Sequence, residues 1–420
     1  MKYTEKTIKE GIKLHMMHTD KFKTNLVAVF LTTKLERNYV TMNALISAVL
    51  RRGSNTMQTQ EEISKQLEEL YGASFDCGID KTGDNQVLKF YIEAINDAYL
   101  PQSNENVLKK AMESVLDIIF NPLIENNAFK KEYVEQEKNN MKQRIEGRID
   151  NKRTYALDRC IEEMYKNKPF GLYRFGYVED LKEINEKNLY ERYKKLIDQC
   201  KIDIFVSGNV NEEIENIIEQ NENVKKLEPR EPNYNKESEK NHEKQGKKIE
   251  NMDVTQGKLV VGLDVNSRDE DEKYNAIVYN TILGGSANSK IFQNIREKAN
   301  LAYEAGSRYF KYKDNIFVNC GIEISNYEKA LHLIKEQLED MKNADFTDEE
   351  VENAKKSIIS SIKTIDDEQD TGITYYFGQE MSGNRKSIEE YIERIQKINK
   401  EDVLQVANKV EINTIYFLRN

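Results

Sequence analysis

The sequence predicts an α+β fold built twice along one chain, and three observations carry that prediction. First, "NALISAVLRRGS" (43–54) lies over "NAIVYNTILGGS" (275–286), and the same offset, unbroken, sets Ile63 over Ile295 and Tyr71 over Tyr303. Second, within each half, alternating β-branched runs are followed by longer stretches of helical period. Third, apolar residues nearly vanish over 221–250, which holds two of the five prolines. Such a stretch cannot bury enough surface to offset its ordering entropy, so it reads as an exposed linker. The expected organisation is a domain over 1–220, a linker over 221–250 and a second domain over 251–420.

Each element has its own justification. "TNLVAVFLTT" (24–33), "QVLKFYIEAI" (86–95), "GKLVVGLDV" (257–265) and "NIFVNCGIEI" (315–324) read as strands, with hairpin tips at "DKTGDN" (80–85) and "YKDN" (312–315). Stretches of 3.6-residue period predict helices over 104–120, 127–165, 327–342 and 347–365. Both halves carry "CGI", at 77–79 and 320–322, and both close alike: "INEKNLYERYKKL" then "IDIFV" parallels "INKEDVLQVANKV" then "TIYFL". Strands returning antiparallel, with helices following in pairs, fit an α+β layer in each half better than a parallel sheet.

Composition narrows the function classes. A chain of 420 residues exceeds one ordinary core, and its net charge of −10 leaves no basic excess to neutralise nucleic acid or an anionic membrane. A basic substrate, or solubility alone, fits better. No segment approaches the roughly 18 apolar residues of a membrane span, and the opening "MKYTEKTIKEGIKLHMMHTD" has no apolar run of the secretory type, so a cytosolic protein is expected. Cys77, Cys160, Cys200 and Cys320 lie far apart and read as reduced thiols. Only four histidines are available to any metal site.

The local motifs yield no complete chemical constellation. Gly284 and Gly285 are adjacent, with Lys290 five residues on, so the phosphate-cradling G-x-x-x-x-G-K-[ST] pattern is absent. The expectation there is a helix end, with Ser286 or Ser289 capping the next helix. His15 and His18 sit three apart in a strand, hence on opposite faces, which is poor metal geometry. "DVNSRDEDE" (264–272) has Arg268 where a calcium loop needs a ligand. Glu132, Glu135 and Glu137 lie on a charged helix and read as a solvated face.

"LGGSANSKIFQNIREKANLAY" in the second half resembles the C-terminal signature of the insulinase/pitrilysin zinc peptidases, the family that includes the mitochondrial processing peptidases. The likeness runs in order through "KFKTNLVAVFL", "RRGS", "LEELYGASFDCGID", "EQEKNN", "FGYVEDLKEINEKNLYERY" and "IFVSGNV". It implies the processing-peptidase or LuxS-like metallohydrolase fold: two homologous α/β-layer domains joined by a charged linker. Active members carry H-x-x-E-H before the G-S turn and a further glutamate downstream. Counted onto this chain, those positions hold Ala44, Ser47 and Ala48, and the downstream ligand position holds Arg144. The resemblance therefore implies no zinc in this chain.

In related enzymes an arginine and a tyrosine seven residues apart reach the substrate from the second domain, and they match Arg296 and Tyr303. That spacing suits one helix face, or a helix ending near Asn300 with the tyrosine opening the next strand. The residues alone also allow a surface ion pair of Arg296 with Glu297 or Glu304, and a half-buried strand tyrosine. The resemblance implies a subunit silent by itself, with zinc on a homologous H-x-x-E-H partner and a peptide as substrate, or else self-association. The alternative is a non-enzymatic scaffold or peptide-binding protein that keeps the peptidase fold.

Overall fold

In the computed structural model, which describes residues 2–100, 106–211, 213–236 and 243–420, two sheets form the centres of two compact units. The first contains β1 (Lys2–Lys9), β2 (Ile12–His18), β3 (Thr24–Lys34), β4 (Ser74–Thr82), β5 (Asn85–Ile95) and β6 (Lys201–Gly208), in the order β1-β2-β6-β3-β5-β4. The second contains β7 (Gly246–Asn251), β8 (Gly257–Asp264), β9 (Ala302–Phe310), β10 (Asn315–Ile322) and β11 (Glu411–Arg419), in the order β9-β10-β8-β11-β7. Set end to end, the second order repeats the first from β2 to β4. In each sheet the strand that closes its half pairs parallel on one side and antiparallel on the other. The duplication expected from the sequence is thus present in strand order and direction.

The helices follow the same repeat. In the first half they include α1 (Val40–Leu50), α2 (Val107–Phe120), α3 (Lys131–Glu146), α4 (Lys152–Met164) and α5 (Glu186–Gln199). In the second they include α6 (Glu270–Asn280), α7 (Tyr327–Lys342), α8 (Asp348–Lys363), α9 (Gln369–Ser382), α10 (Ile388–Gln396) and α11 (Lys400–Ala407). The single helix expected over 127–165 is two, because the backbone tightens into a 3-10 turn at Gly147–Asp150 and Asn151 then caps α4 by accepting from the Thr154 amide at 3.0 Å. Before α3, Asn126 and Asn127 take left-handed φ of 53° and 59°, folding 124–129 into a small ladder. Of the helix expected over 104–120, residues 104 and 105 lie outside the described residues.

Two segments are exchanged between the halves. Unit 1 comprises residues 1–146, 172–236 and 365–381, and unit 2 comprises 147–171, 237–364 and 382–420. In unit 2, α4 lays Ala156, Cys160, Ile161 and Met164 on Val260, Phe317, Tyr416 and Leu418. Gly262 makes that approach possible, since a Cβ there would sit 2.8 Å from the Met164 sulfur. In unit 1, α9 lies on the polar face of the sheet: Phe377 packs edge-on against Phe30 and Tyr376 stacks on Tyr3. The opposite, apolar face of that sheet packs against α1, α2 and α5.

The stretch 221–250 is less open than its composition implies. Lys9 Nζ donates to the carbonyls of Val224, Lys225 and Leu227, and Arg230 donates to the Ile197 carbonyl at 2.9 Å. Residues 246–251 then join the second sheet as β7. Hydrogen bonds together with the burial of Val224 and Leu227 in the unit 1 core hold the described parts of this stretch; residues 237–242 lie outside the described residues.

Candidate functional site

Arg296 and Tyr303 are positioned by an irregular helix and a bulged edge strand. α6 runs into a π-helical turn at Thr281–Gly285, and a second π-helical stretch spans Phe292–Lys298 and carries Arg296. Gly284 is required by close approach: a Cβ there would meet Ser307 Oγ of β9 at 2.5 Å. The capping expected of the serines is not what they do. Ser286 Oγ donates to the Thr281 carbonyl at 3.3 Å and Ser289 Oγ to the Ser286 carbonyl at 2.6 Å, so each ties down the turn rather than receiving helix amides. The helix ends at Lys298, Asn300 turns left-handed at φ 51°, and β9 begins. Of the two geometries open to a seven-residue spacing, the chain takes the second.

Tyr303 falls at a β-bulge, between the pairs Ala302↔Ile322 and Glu304↔Gly321. The bulge turns the ring outward, leaving Tyr303 83% exposed. Arg296 stacks its guanidinium on Phe292, 4.7 Å from the ring centroid, and its Nε lies 3.5 Å from Glu297. Glu304, the other acid considered for it, is held by Arg153 at 3.0 Å and Lys258 at 3.4 Å. Arg296 and Tyr303 line one cleft of about 560 Å³ with Gln256, Asn300, Glu323 and Asn326. Gly321 keeps its floor low, since a Cβ there would sit 3.0–3.1 Å from Glu304, Gln256 and Lys258. Sequence reasoning did not reach Gln256 or Asn326; the repeated "CGI" was the one available signal, because its glycine lies under the cleft. Chemically, a phenol and a guanidinium on one open cleft can donate hydrogen bonds to a carbonyl oxygen or hold a peptide main chain.

The other four sequence-predicted positions come together in unit 1, on the packed helices α1 and α3. Ala44 is fully buried, Ser47 Oγ donates to the Ala44 carbonyl at 2.9 Å, and Ala48 is half-buried. Arg144 is exposed on α3 with its guanidinium 5.2 Å from the Phe175 ring centroid. Two alanines, a serine spent on its own helix and a guanidinium offer a divalent cation no donor set, so the residues present do not fit zinc. Cys77 stands beside them, its thiol 3.5 Å from the Ser47 carbonyl, and burial pushes it up to about 11, far from a thiolate at neutral pH. Among the described residues no group of three or more His, Cys, Asp or Glu is arranged to hold a metal ion.

The remaining histidines and acids resolve individually. His15 is buried on β2, with Nε2 2.9 Å from Asp203 and Nδ1 2.7 Å from the Tyr3 hydroxyl, while His18 Nδ1 lies 2.9 Å from the Val210 carbonyl. Asp269 caps α6 by accepting from the Glu272 amide at 2.9 Å, which accounts for the acidic loop. Glu132 and Glu135 face solvent with neighbouring Gln136 and Lys138. Glu137 departs from the solvated-face expectation: it is 9% exposed and lies 3.5 Å from Arg52.

A family model described as the peptidase M16 inactive domain matches residues 183–358. The probable inactive metalloprotease YmfF of Bacillus subtilis is 33% identical over 427 aligned residues, spanning 97% of this chain and 96% of that protein. A conserved protein from Enterococcus faecalis V583 superposes with a TM-score of 0.89 at 28% identity, over 100% of this chain and 98% of that one. A structure described as the peptidase M16 inactive domain from Pseudomonas fluorescens gives 0.80 at 17% identity, over 100% and 98%, a likeness of fold.

Proposed function

We infer that this chain, which belongs to the peptidase M16 family as an inactive-type homologue, works as the non-catalytic subunit of a peptidase. In this reading it joins a homologous subunit that bears H-x-x-E-H and zinc, and contributes Arg296 and Tyr303 to the peptide bound there. The observation that carries the reading is the cleft: an 83% exposed tyrosine on a bulge and an arginine one helix end away share a solvent-open surface, with no packing role for the ring. A phenol donor and a guanidinium fixed before the substrate arrives can hold its main chain or a developing oxyanion. A cytosolic setting belongs to the same proposal and is supported by four free thiols. No helix among the described residues is long and apolar enough to cross a membrane.

The test is to prepare the chain alone and with a zinc-bearing homologue, then measure association and cleavage of unstructured peptides. The mixture should gain activity that neither chain has alone. Arg296→Ala or Tyr303→Phe in this chain should each lower it about 10²–10³-fold, as removal of one oxyanion donor typically does. A mixture that neither associates nor depends on these residues would overturn the proposal. One observation favours the scaffold reading instead: Arg296 already rests on its own Phe292 and Glu297. That reading expects both substitutions to leave association and biological role intact.

A further inference from the structure

The corner of unit 1 that holds no metal donors holds an excess of guanidinium groups. Arg144 on α3 and Arg174 on the 172–177 loop both lean on Phe175, each 5.2 Å from the same ring centroid. Their guanidinium carbons are thus no more than about 10 Å apart. The carboxylates nearby are taken: Asp76 by Arg51 at 3.8 Å, Asp80 by Lys89 at 2.8 Å and Glu137 by Arg52 at 3.5 Å. Among the described residues, neither Arg144 nor Arg174 has an ion-pair partner. Arg174 feels Asp80 at longer range, but in a chain with ten more acidic than basic residues neither arginine has a carboxylate within ion-pair distance among the described residues.

The loop that presents Arg174 is fixed before any ligand arrives. Gln86 donates to the Arg174 carbonyl at 2.8 Å, and the Tyr177 amide donates to Thr41 Oγ1 at 3.0 Å. Gly176, at φ 79°, seats the loop so closely on Thr41 that a Cβ would fall 1.9 Å from its hydroxyl oxygen. Arg144 is anchored by its helix and by the ring. Neither guanidinium is spent on a carboxylate of its own chain, and such forks match carboxylates in paired hydrogen bonds.

We propose that Arg144 and Arg174, braced on Phe175, bind the side-chain carboxylates of an acidic, extended peptide. Same-face residues of an extended chain recur about every 7 Å, within the separation that the shared ring allows the two guanidinia. The site lies within unit 1 and does not depend on the role proposed for Arg296 and Tyr303.

The experiment measures binding of the full chain, by fluorescence anisotropy, to a labelled Gly/Ser peptide carrying glutamates and to the same peptide with glutamines in their places. The acidic peptide should bind more tightly, and the preference should shrink as salt rises. Arg144→Gln and Arg174→Gln should each weaken it roughly five- to tenfold, and the double variant should bind both peptides alike. Arg308→Gln, which removes an exposed arginine resting on Phe310, should change nothing. Both target side chains are exposed, so the variants should melt with the parent chain, which a thermal scan verifies. Equal affinity for the two peptides, no measurable binding of either, or a preference that survives the double substitution would overturn the proposal.

Discussion

Asp203 illustrates what single residues do in this chain and how much of that is legible. It lies inside the apolar run "IDIFV" and is fully buried, yet it meets His15 and Lys201, and Lys201 lies 3.2 Å from Glu380, itself 2.7 Å from Lys13. Burial, the largest influence, would raise the Asp203 carboxyl, but Lys201 and the hydrogen bond from His15 outweigh it and hold the group down at about 2. Glu380 is held at about 2 against burial by Lys201 and Lys13. Both values lie below those of an unfolded chain, so these carboxylates contribute stability above about pH 4–5, and it is lost as pH falls toward 2. Asp203→Asn removes one of the two carboxylates around buried Lys201, leaving Glu380 at 3.2 Å, and should cost about 1–3 kcal/mol at neutral pH, with a shallower loss between pH 5 and 3 than the parent shows in thermal melts. The sequence argued against His15 and His18 as a metal pair from strand geometry and left open whether each is satisfied or exposed. It could not identify Asp203 or Glu380 as the surroundings of His15, because they are brought together only by the fold.

At the level of elements, strands and their repeat were readable because a period of two and a fixed offset are properties of the sequence itself. The break between α3 and α4 was not, since Gly147 and Asn151 are ordinary inside a charged helical pattern until a cap forms. Nor was the role of Gly284, which depends on Ser307 of β9, more than twenty residues away in sequence. Gly284→Ala should therefore cost about 1–3 kcal/mol in denaturant unfolding, as overpacking does, while Gly72→Ala, with no atom within 4 Å of its would-be Cβ, meets no such clash and pays only for its left-handed φ of 77°. Equal losses at the two positions would show that close approach to β9 is not what position 284 requires. The cleft follows the same rule. Arg296 and Tyr303 were singled out by the family resemblance, whereas the bulge that exposes the ring depends on how β9 pairs with β10.

For the whole molecule, the repeat gave the strand content of each half but not the exchange of α4 and α9, which no composition shift marks. Each unit is completed by a segment from the other half of the sequence. A chain divided into 1–236 and 243–420 should therefore yield two fragments that each lack a covering helix, and neither should melt cooperatively alone. Mixed, they should recover the parent melting transition in circular dichroism. A fragment that melts by itself at the parent temperature would show that the exchanged segments are dispensable.

The exchange also sets a timetable for synthesis. By the time Met164 has been made, α4 already offers Ala156, Cys160, Ile161 and Met164, but the last strand that receives them ends at Arg419. At the usual rates of translation that interval lasts roughly 10–50 seconds. From the end of β6 at Gly208 until residue 381 is made, a shorter interval of roughly 10–35 seconds, the sheet of unit 1 waits for residues 365–381 with Lys13, His15, Lys201 and Asp203 uncovered. A charged surface tolerates that wait in water, whereas the apolar stripe of α4 does not. The nascent chain is thus most exposed to chaperones and to aggregation in its middle third, through a helix whose apolar stripe is buried in the finished protein.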